Sequence, residues 1–261
     1  YYEVVNAYDC KIVSEDIRKI LKCVLDYFKN TNETFYHRMK KTGSLRHLLV
    51  RQAFFTKQII IGLVTSSQFN IDLEPLKELL LNLKLEGKIK GFIHIVNDST
   101  ADIVKADNMN IIYGNDYFYE KLLGLDFKIS LFSFFQTNSA GAEKLYSIVK
   151  KFVGQVSNQN VFDLYCGTGT IAQIVAKEAK NVIGVEIVEE AVEAAKINAR
   201  LNNIDNCDFI AGDVYKVVEN LNIKPDLIIL DPPREGINPK AIDKIANFNS
   251  KTIVYISCKA S

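Results

Sequence analysis

"VFDLYCGTGTIA", residues 161–172, carries an apolar run into a turn with two glycines and on into helix-forming residues. A short apolar run closed by a turn signal reads as a strand covered on both faces, the habit of a central strand in a parallel sheet. Gly167 and Gly169 then fall at the strand-to-helix turn, where a residue without Cβ lets backbone N–H groups approach a ligand at the helix N-terminus. By spacing alone G-T-G-T-I-A fits a dinucleotide fingerprint, so a nicotinamide dinucleotide is not excluded.

Outward from this turn, helix and strand signals alternate: "SAGAEKLYSIVKKFV" before it, then "NVIGVE", "VEEAVEAAKINARLNN", "CDFIAGD", "VYKVVENL", "DLIIL", "PKAIDKIANF" and "TIVYIS". Five strands with intervening helices predict a doubly wound parallel sheet with right-handed crossovers. Before Thr137 the pattern differs. Helical spacing in "SEDIRKILKCVLDYFKN" and "LEPLKELLLNLK" is set among strand-like runs such as "LRHLLVRQAF", "KQIIIGLVT" and "IKGFIHIV", which describes an α+β module. Two domains are expected, residues 1–137 and 138–261.

Acidic residues recur at the carboxyl ends of the predicted strands. Asp163 lies inside the first, Glu186 ends the second, Asp213 the third and Asp231 the fourth. In open α/β sheets ligands bind along that rim. Four acids there repel a diphosphate and attract a cation, which favours the sulfonium of S-adenosylmethionine over a dinucleotide. Each acid taken singly reads equally well as a helix cap. In "LIILDPPREG" two prolines follow Asp231 and push it toward an extended conformation just past its strand. Cys258, in "YISCKAS", follows the fifth strand onto the same rim. A core cysteine is the ordinary reading. Beside a methyl donor, its thiolate has another use: addition to C6 of a pyrimidine makes C5 nucleophilic.

Lys plus Arg number 32 against 31 Asp plus Glu, so net charge names no partner. Local charge is more telling. No acid occurs between Thr34 and Ile71, where Arg38, Lys40, Lys41, Arg46, Arg51 and Lys57 are interleaved with Tyr36, His37, Phe54 and Phe55. Such a stretch suits a polyanion, although a solvated basic face reads the same way. Five cysteines without regular spacing argue against a disulfide framework. No segment is long and apolar enough for a membrane span and no signal-peptide pattern opens the chain, so a cytoplasmic location is expected.

Taken in order, "SFFQTN" (133–138), "FDLYCGTGTIA" (162–172), "GVEIVEEAVEAAKINARLN" (184–202), "LDPPREG" (230–236) and "YISC" (255–258) resemble the S-adenosylmethionine-dependent RNA 5-methyluridine methyltransferases. "GSLRHLLVR" (43–51) is similar to that family's central RNA-binding domain, so the resemblance covers nearly the whole chain. It implies a Rossmann-like class I methyltransferase domain, its C-terminal strands missing, preceded by an α+β central RNA-binding domain. Gln136, Tyr165, Gly167, Thr170, Glu186, Asp213 and Asp231 would contact the cofactor, Cys258 would be the nucleophile, and Arg46, Arg51, Lys40 and Lys41 would meet RNA. The prolines would hold Asp231 where donor and target base meet. The resemblance favours ribosomal over transfer RNA as partner, and a monomer.

Departures from the family pattern are also visible. Lys259-Ala260-Ser261 follows Cys258 where the family continues S-C-N-P or S-C-K-P. The family's general-base glutamate falls beyond Ser261, so the chain by itself is not expected to turn over. Cys10, in "AYDCKIV", resembles the last ligand of an iron–sulfur cluster whose other three ligands would lie upstream; one cysteine cannot hold a cluster. Three alternatives stay open: a methyltransferase for another RNA base, a non-catalytic RNA-binding assembly factor, and a dinucleotide oxidoreductase.

Overall fold

A computed structural model describes residues 6–99, 108–221 and 223–257. The chain divides into two compact units, Tyr1–Glu120 and Lys121–Ser261.

In the first unit, Ser14 caps helix α1 (Glu15–Lys29), its Oγ accepting the Ile17 N–H at 3.3 Å. Ile20, Val24 and Phe28 recur every fourth residue and form the buried stripe that the sequence spacing predicts. Beyond α1 lies a four-stranded sheet with order β1 (Leu45–Gln52), β2 (Gln58–Thr65), β3 (Lys88–Val96), β4 (Asn108–Gly114). β1 and β4 run antiparallel to their neighbours. β2 and β3 are parallel, joined through helix α2 (Glu74–Leu81). Ile59, Ile61, Leu63 and Phe92 pack with the α1 stripe and with Leu76 and Leu80 of α2.

Two buried carboxylates close the loops of this unit. Asp16 accepts the Glu86 and Gly87 amides at 2.9 and 2.8 Å and the Gln52 side chain at 2.9 Å. Glu120, only 1% exposed, accepts the consecutive amides of Phe54, Phe55 and Thr56 at 2.5, 3.0 and 3.4 Å. Charge-assisted bonds of this kind are worth roughly 1.5–3 kcal/mol each before non-additivity. Glu120→Ala is therefore expected to cost about 2–4 kcal/mol in urea unfolding, because three donors lose one acceptor. A loss below about 0.5 kcal/mol would show that the amides find other partners.

The chain leaves the first unit inside β5 (Tyr117–Leu122), which pairs with β6 (Leu125–Ser130) across the two-residue turn Leu123–Gly124. Both turn residues have positive φ, 47° and 76°, the conformation that matches strand twist in a two-residue hairpin. The division thus comes before the expected boundary near 137. β6 belongs to the second unit because two side chains of helix α5 (Glu189–Leu201) and its C-cap hold it. Asn198 accepts the Lys128 N–H at 2.8 Å, and Asn202 accepts the Asp126 N–H at 2.9 Å while donating to the Asp126 carbonyl at 2.8 Å. Four helical residues rise about 6 Å and two strand residues about 6.8 Å. The two asparagines therefore match alternate residues of the strand.

The second unit continues with α3 (Ser139–Val153), β7 (Asn160–Leu164), α4 (Thr170–Ala176), β8 (Asn181–Glu186), α5, β9 (Cys207–Ala211), α6 (Val214–Val217), β10 (Leu227–Leu230), α7 (Pro239–Asn247) and β11 (Thr252–Tyr255). All five strands from β7 on are parallel, in the order β11-β10-β7-β8-β9. Phe162 and Leu164 face one side, packed with Val214, Val218, Ala241 and Ile245 from the α6 and α7 region. Side chains alternate along a strand, so Asp163 faces the other side. There it lies in register between Ile229 and Gly184. Strand order reverses between β7 and β10, and the crevice at their carboxyl ends is the place where such sheets take a ligand.

Candidate active site

At the end of β7 the backbone turns sharply. Tyr165 has φ 69°, a left-handed conformation that costs a non-glycine residue free energy. Its amide and that of Cys166 both donate to the Val185 carbonyl, at 2.9 and 3.0 Å. Gly169, with φ 71°, has no room for a side chain: a Cβ would stand 2.5 Å from Cε1 of Phe209. Gly167 differs, since a Cβ there would meet nothing within 4 Å, so this part of the turn is open to a ligand.

The four expected acids sort into distinct roles. Glu186 accepts the Gly167 and Val188 amides, one on each oxygen, both at 3.0 Å. It fixes the glycine turn and keeps lone pairs for a further donor. Asp213 accepts the Tyr215 N–H at 2.9 Å and caps α6, which is the bland reading of that residue. Asp231, half-buried after β10, is pushed above the usual carboxylate range by burial. Asp163 is wholly buried, and neither of its oxygens has a hydrogen-bond partner. Burial, and then the neighbouring Asp231 carboxylate, push it up to about 8, with Glu186 adding to the effect. The Ala172 amide opposes this shift without meeting hydrogen-bond geometry.

Buried polar groups without partners are expensive, and an unpaired carboxylate is the most expensive of these. A carboxylate orphaned at a switch point fits a ligand that brings positive charge. An adenosyl sulfonium with its amino group meets that need, whereas a pyrophosphate does not. The rim therefore fits S-adenosylmethionine. Gln136, half-buried, precedes Asn138, whose side chain caps α3 by accepting the Gly141 N–H at 2.8 Å. Thr170 is buried at the start of α4. Tyr165 is pushed up by burial and then by Asp213 and Tyr255, which places residues from the ends of β7, β9 and β11 in one electrostatic neighbourhood.

Tyr146 of α3 was hidden from sequence reasoning, because a tyrosine on the inward stripe of a helix reads as core. Burial, then Asp231, raise its pKa, hydrogen bonding to Gln136 opposes them, and Asp163 adds to the rise. The remaining thiols are ordinary. Burial pushes Cys166 and Cys207 well above the usual thiol range, so neither is a nucleophile near neutrality. Cys258 lies outside the described residues. Cys10 is a free thiol, and among the described residues no group of three or more His, Cys, Asp or Glu is arranged to hold a metal ion. No helix among the described residues is long and apolar enough to cross a membrane.

In the first unit the basic candidates divide in two. The Arg46 guanidinium donates to the carbonyls of Asn97 and Ser99 at 2.5 and 2.9 Å and stacks over the Tyr36 ring at 4.4 Å. Arg51 is half-buried, lies 5.6 Å from the Phe118 ring centroid and is shifted down by burial. Both arginines make contacts within the first unit. Lys40 and Lys41 instead stand exposed on the turn bracketed by the His37–Thr42 bridge, beside Met39 at 87% exposure.

Comparison with known proteins agrees with this geometry. Residues 155–261 match the family described as "Methyltransferase domain". A Clostridium tetani protein named as an uncharacterized RNA methyltransferase is 52% identical over 98% of this chain and 56% of its own length. A Clostridium acetobutylicum protein of like name is 54% identical over the same shares. The chain thus spans about half the length of the curated relatives it matches. The crystal structure of Pyrococcus abyssi tRNA (uracil-54, C5)-methyltransferase with S-adenosyl-L-homocysteine superposes with a TM-score of 0.81 at 25% identity, covering 98% of this chain and 61% of that one. The second unit accordingly has the Rossmann-like class I methyltransferase fold, in a chain similar along nearly its whole length to proteins named RNA methyltransferases.

Proposed function

We propose that the protein methylates C5 of a uridine in RNA, using S-adenosylmethionine. The observation that carries the reading is the orphaned Asp163 carboxylate, coupled to Asp231 and Glu186 at the switch point. It calls for a cationic ligand where the fold binds one. When bound, S-adenosylmethionine supplies an electrophilic methyl group on a positively charged sulfur. Glu186 and the open Gly167 turn hold the adenosine end, with Gln136, Tyr165, Thr170 and Asp213 around it, while Asp163 and Asp231 balance the charge. The Cys258 thiolate would add to C6 of uracil, and C5 would gain the electron pair that takes up the methyl group as the bond from methyl to sulfur breaks and leaves a neutral thioether. A base then removes the C5 proton, and the C6–S bond breaks to return the thiolate. The target base must leave its stack to reach such a crevice, which favours loops and single strands.

Ribosomal RNA is the proposed partner on sequence resemblance, while the solved relative acts on tRNA. The test offers both. Full-length protein is incubated with labelled S-adenosylmethionine and each RNA, and the digested nucleosides are identified by mass spectrometry. Labelled 5-methyluridine is the expected product. Label in 5-methylcytidine or on an exocyclic amine would replace uridine with another base, and failure to bind any cofactor would point to a non-catalytic RNA-binding factor.

For RNA contact the proposal rests on the exposed turn. The double variant Lys40→Ala/Lys41→Ala is expected to weaken RNA binding and to reduce the slope of log K against log salt by about 0.7 per lost phosphate contact. Arg46→Ala should lower the melting temperature instead, since it frees two carbonyls from their donor. Equal salt slopes for wild type and the lysine variant would remove the turn from the interface.

A further inference from the structure

Phe35 is 73% exposed and stands at the base of the turn that carries Lys40 and Lys41. Two backbone bonds close that turn: the Tyr36 amide donates to the Leu45 carbonyl at 2.8 Å and the His37 amide to the Thr42 carbonyl at 2.7 Å. The Gln68 side chain braces it, accepting the Gly43 N–H at 3.2 Å and donating to the Lys41 carbonyl at 2.9 Å. Ring and cations are therefore carried on one fixed loop.

The Phe35 ring forms one wall of a groove of about 420 Å³ between α1 and β1, lined also by Leu21, Leu25, Phe28, Leu45 and Leu63. That volume lies in the range, about 300–1,000 Å³, of clefts that take a small organic group. Polar groups along the groove are already engaged within the protein. The Arg46 guanidinium is on the carbonyls of Asn97 and Ser99, the Thr31 hydroxyl donates to the Phe28 carbonyl at 2.9 Å, and the Glu33 carboxylate accepts the Ser44 hydroxyl. An occupant is thus held by its apolar face more than by hydrogen bonds. Lys29 and Arg46 line the same groove, and no acid follows Glu33 until Asp72.

A single exposed phenylalanine needs no explanation. One that walls an apolar groove beside a basic turn suits an occupant with a flat apolar face and a negative charge. A nucleotide has both, and stacking on an aromatic side chain is the common way to hold an unpaired base. An acidic peptide matches the charge, but its flexible side chains must first be ordered on the ring.

We infer that Phe35 is a stacking platform that holds one unpaired RNA base in the groove between α1 and β1, while Lys40 and Lys41 meet neighbouring phosphates. The inference rests on reading RNA as the partner. It is tested with full-length protein and a short fluorescein-labelled RNA of mixed sequence, offered single-stranded and as a duplex. Phe35→Ala is expected to bind the single strand about tenfold more weakly. It should bind the duplex as wild type does, because a paired base stays in its stack. The salt slope should also stay at the wild-type value, because no phosphate contact is lost. Phe35→Trp should keep the affinity, and the emission it adds over wild type should fall when single-stranded RNA stacks on the indole. The side chain is exposed, so both variants should melt near wild type.

Undiminished single-strand affinity in Phe35→Ala, an equal loss on the duplex, a flattened salt slope, or indole emission that RNA leaves unchanged would each overturn the inference and leave the RNA reading standing. Quenching of Phe35→Trp by an acidic peptide and not by RNA would give the groove to a protein partner instead. Wild-type protein that binds neither RNA would overturn the reading of RNA as partner, and this inference with it.

Discussion

Asp163→Asn should raise the melting temperature of the ligand-free protein at pH 7–8 and lower it slightly at pH 4. The wild-type carboxyl is pushed up to about 8 in the folded state from an ordinary value of 3.8. The folded chain then holds a proton that the unfolded chain releases between these values. Stability from this residue is thus greatest below about pH 4 and is lost as pH rises toward 8. At pH 7 the loss amounts to about 4 kcal/mol by linkage. Asparagine, neutral at every pH, removes that slope, although its own unsatisfied amide offsets about 1–3 kcal/mol. The net gain is on the order of 5 °C for a chain of this size. On the proposed reading, the same substitution should weaken S-adenosylmethionine binding on the order of tenfold, since asparagine cannot release a proton and take up negative charge when the sulfonium arrives. Scanning fluorimetry of both proteins from pH 4 to 8, with and without cofactor, measures both effects. Parallel melting curves across that range would mean that Asp163 is solvated or paired.

On the proposed mechanism, Cys258→Ala is expected to lower methyl transfer by about 10⁴-fold or more in the full-length protein, because the covalent step would have no other route. S-adenosylhomocysteine should bind the variant as it binds wild type, since the sulfur serves the base. The wild-type thiolate should also trap RNA containing 5-fluorouridine. A fluorine at C5 cannot leave as a proton, so the C6–S bond persists and a protein–RNA species survives denaturation. Turnover at the wild-type rate by Cys258→Ala, or trapping that survives the substitution, would remove this residue from the chemistry. Cys166 and Cys207 are poor substitutes because burial keeps both thiols protonated.

Much of the second unit was legible because periodicity and turn chemistry agree there. "VFDLYCGTGTIA" announces its strand by apolar continuity and its turn by glycines, and Gly169 proves to be required by the Phe209 ring. A doubly wound parallel sheet follows from alternating elements and the handedness rule, while the strand order that sets the crevice beside Asp231 is seen only in the structure. The acids were legible as a set and not as individuals: whether Asp213 caps a helix or faces a ligand depends on a single amide, and that amide belongs to Tyr215. The compact units divide ahead of residue 137, inside a hairpin whose Leu123–Gly124 turn lacks the Asn-Gly or Asp-Gly signature. The side chains that tie β6 to α5 also lie far off in sequence. Arg46 shows the limit of charge reading. Its surroundings look suited to a polyanion, yet its donors end on the carbonyls of Asn97 and Ser99. Tyr146 was invisible for the converse reason, since helical spacing marks a position as inward and says nothing of what a hydroxyl finds there.

Asn198 and Asn202 have an effect beyond holding β6 in place. A two-stranded ribbon offers its outer row of amides and carbonyls to any extended peptide that drifts by, and self-association commonly begins at such a row. Here two carboxamides impersonate the missing neighbour, donating and accepting at Asp126 while meeting the amide of Lys128. A helix thus supplies counterfeit backbone where no third strand exists, and at Asp126 and Lys128 the β6 edge is already occupied.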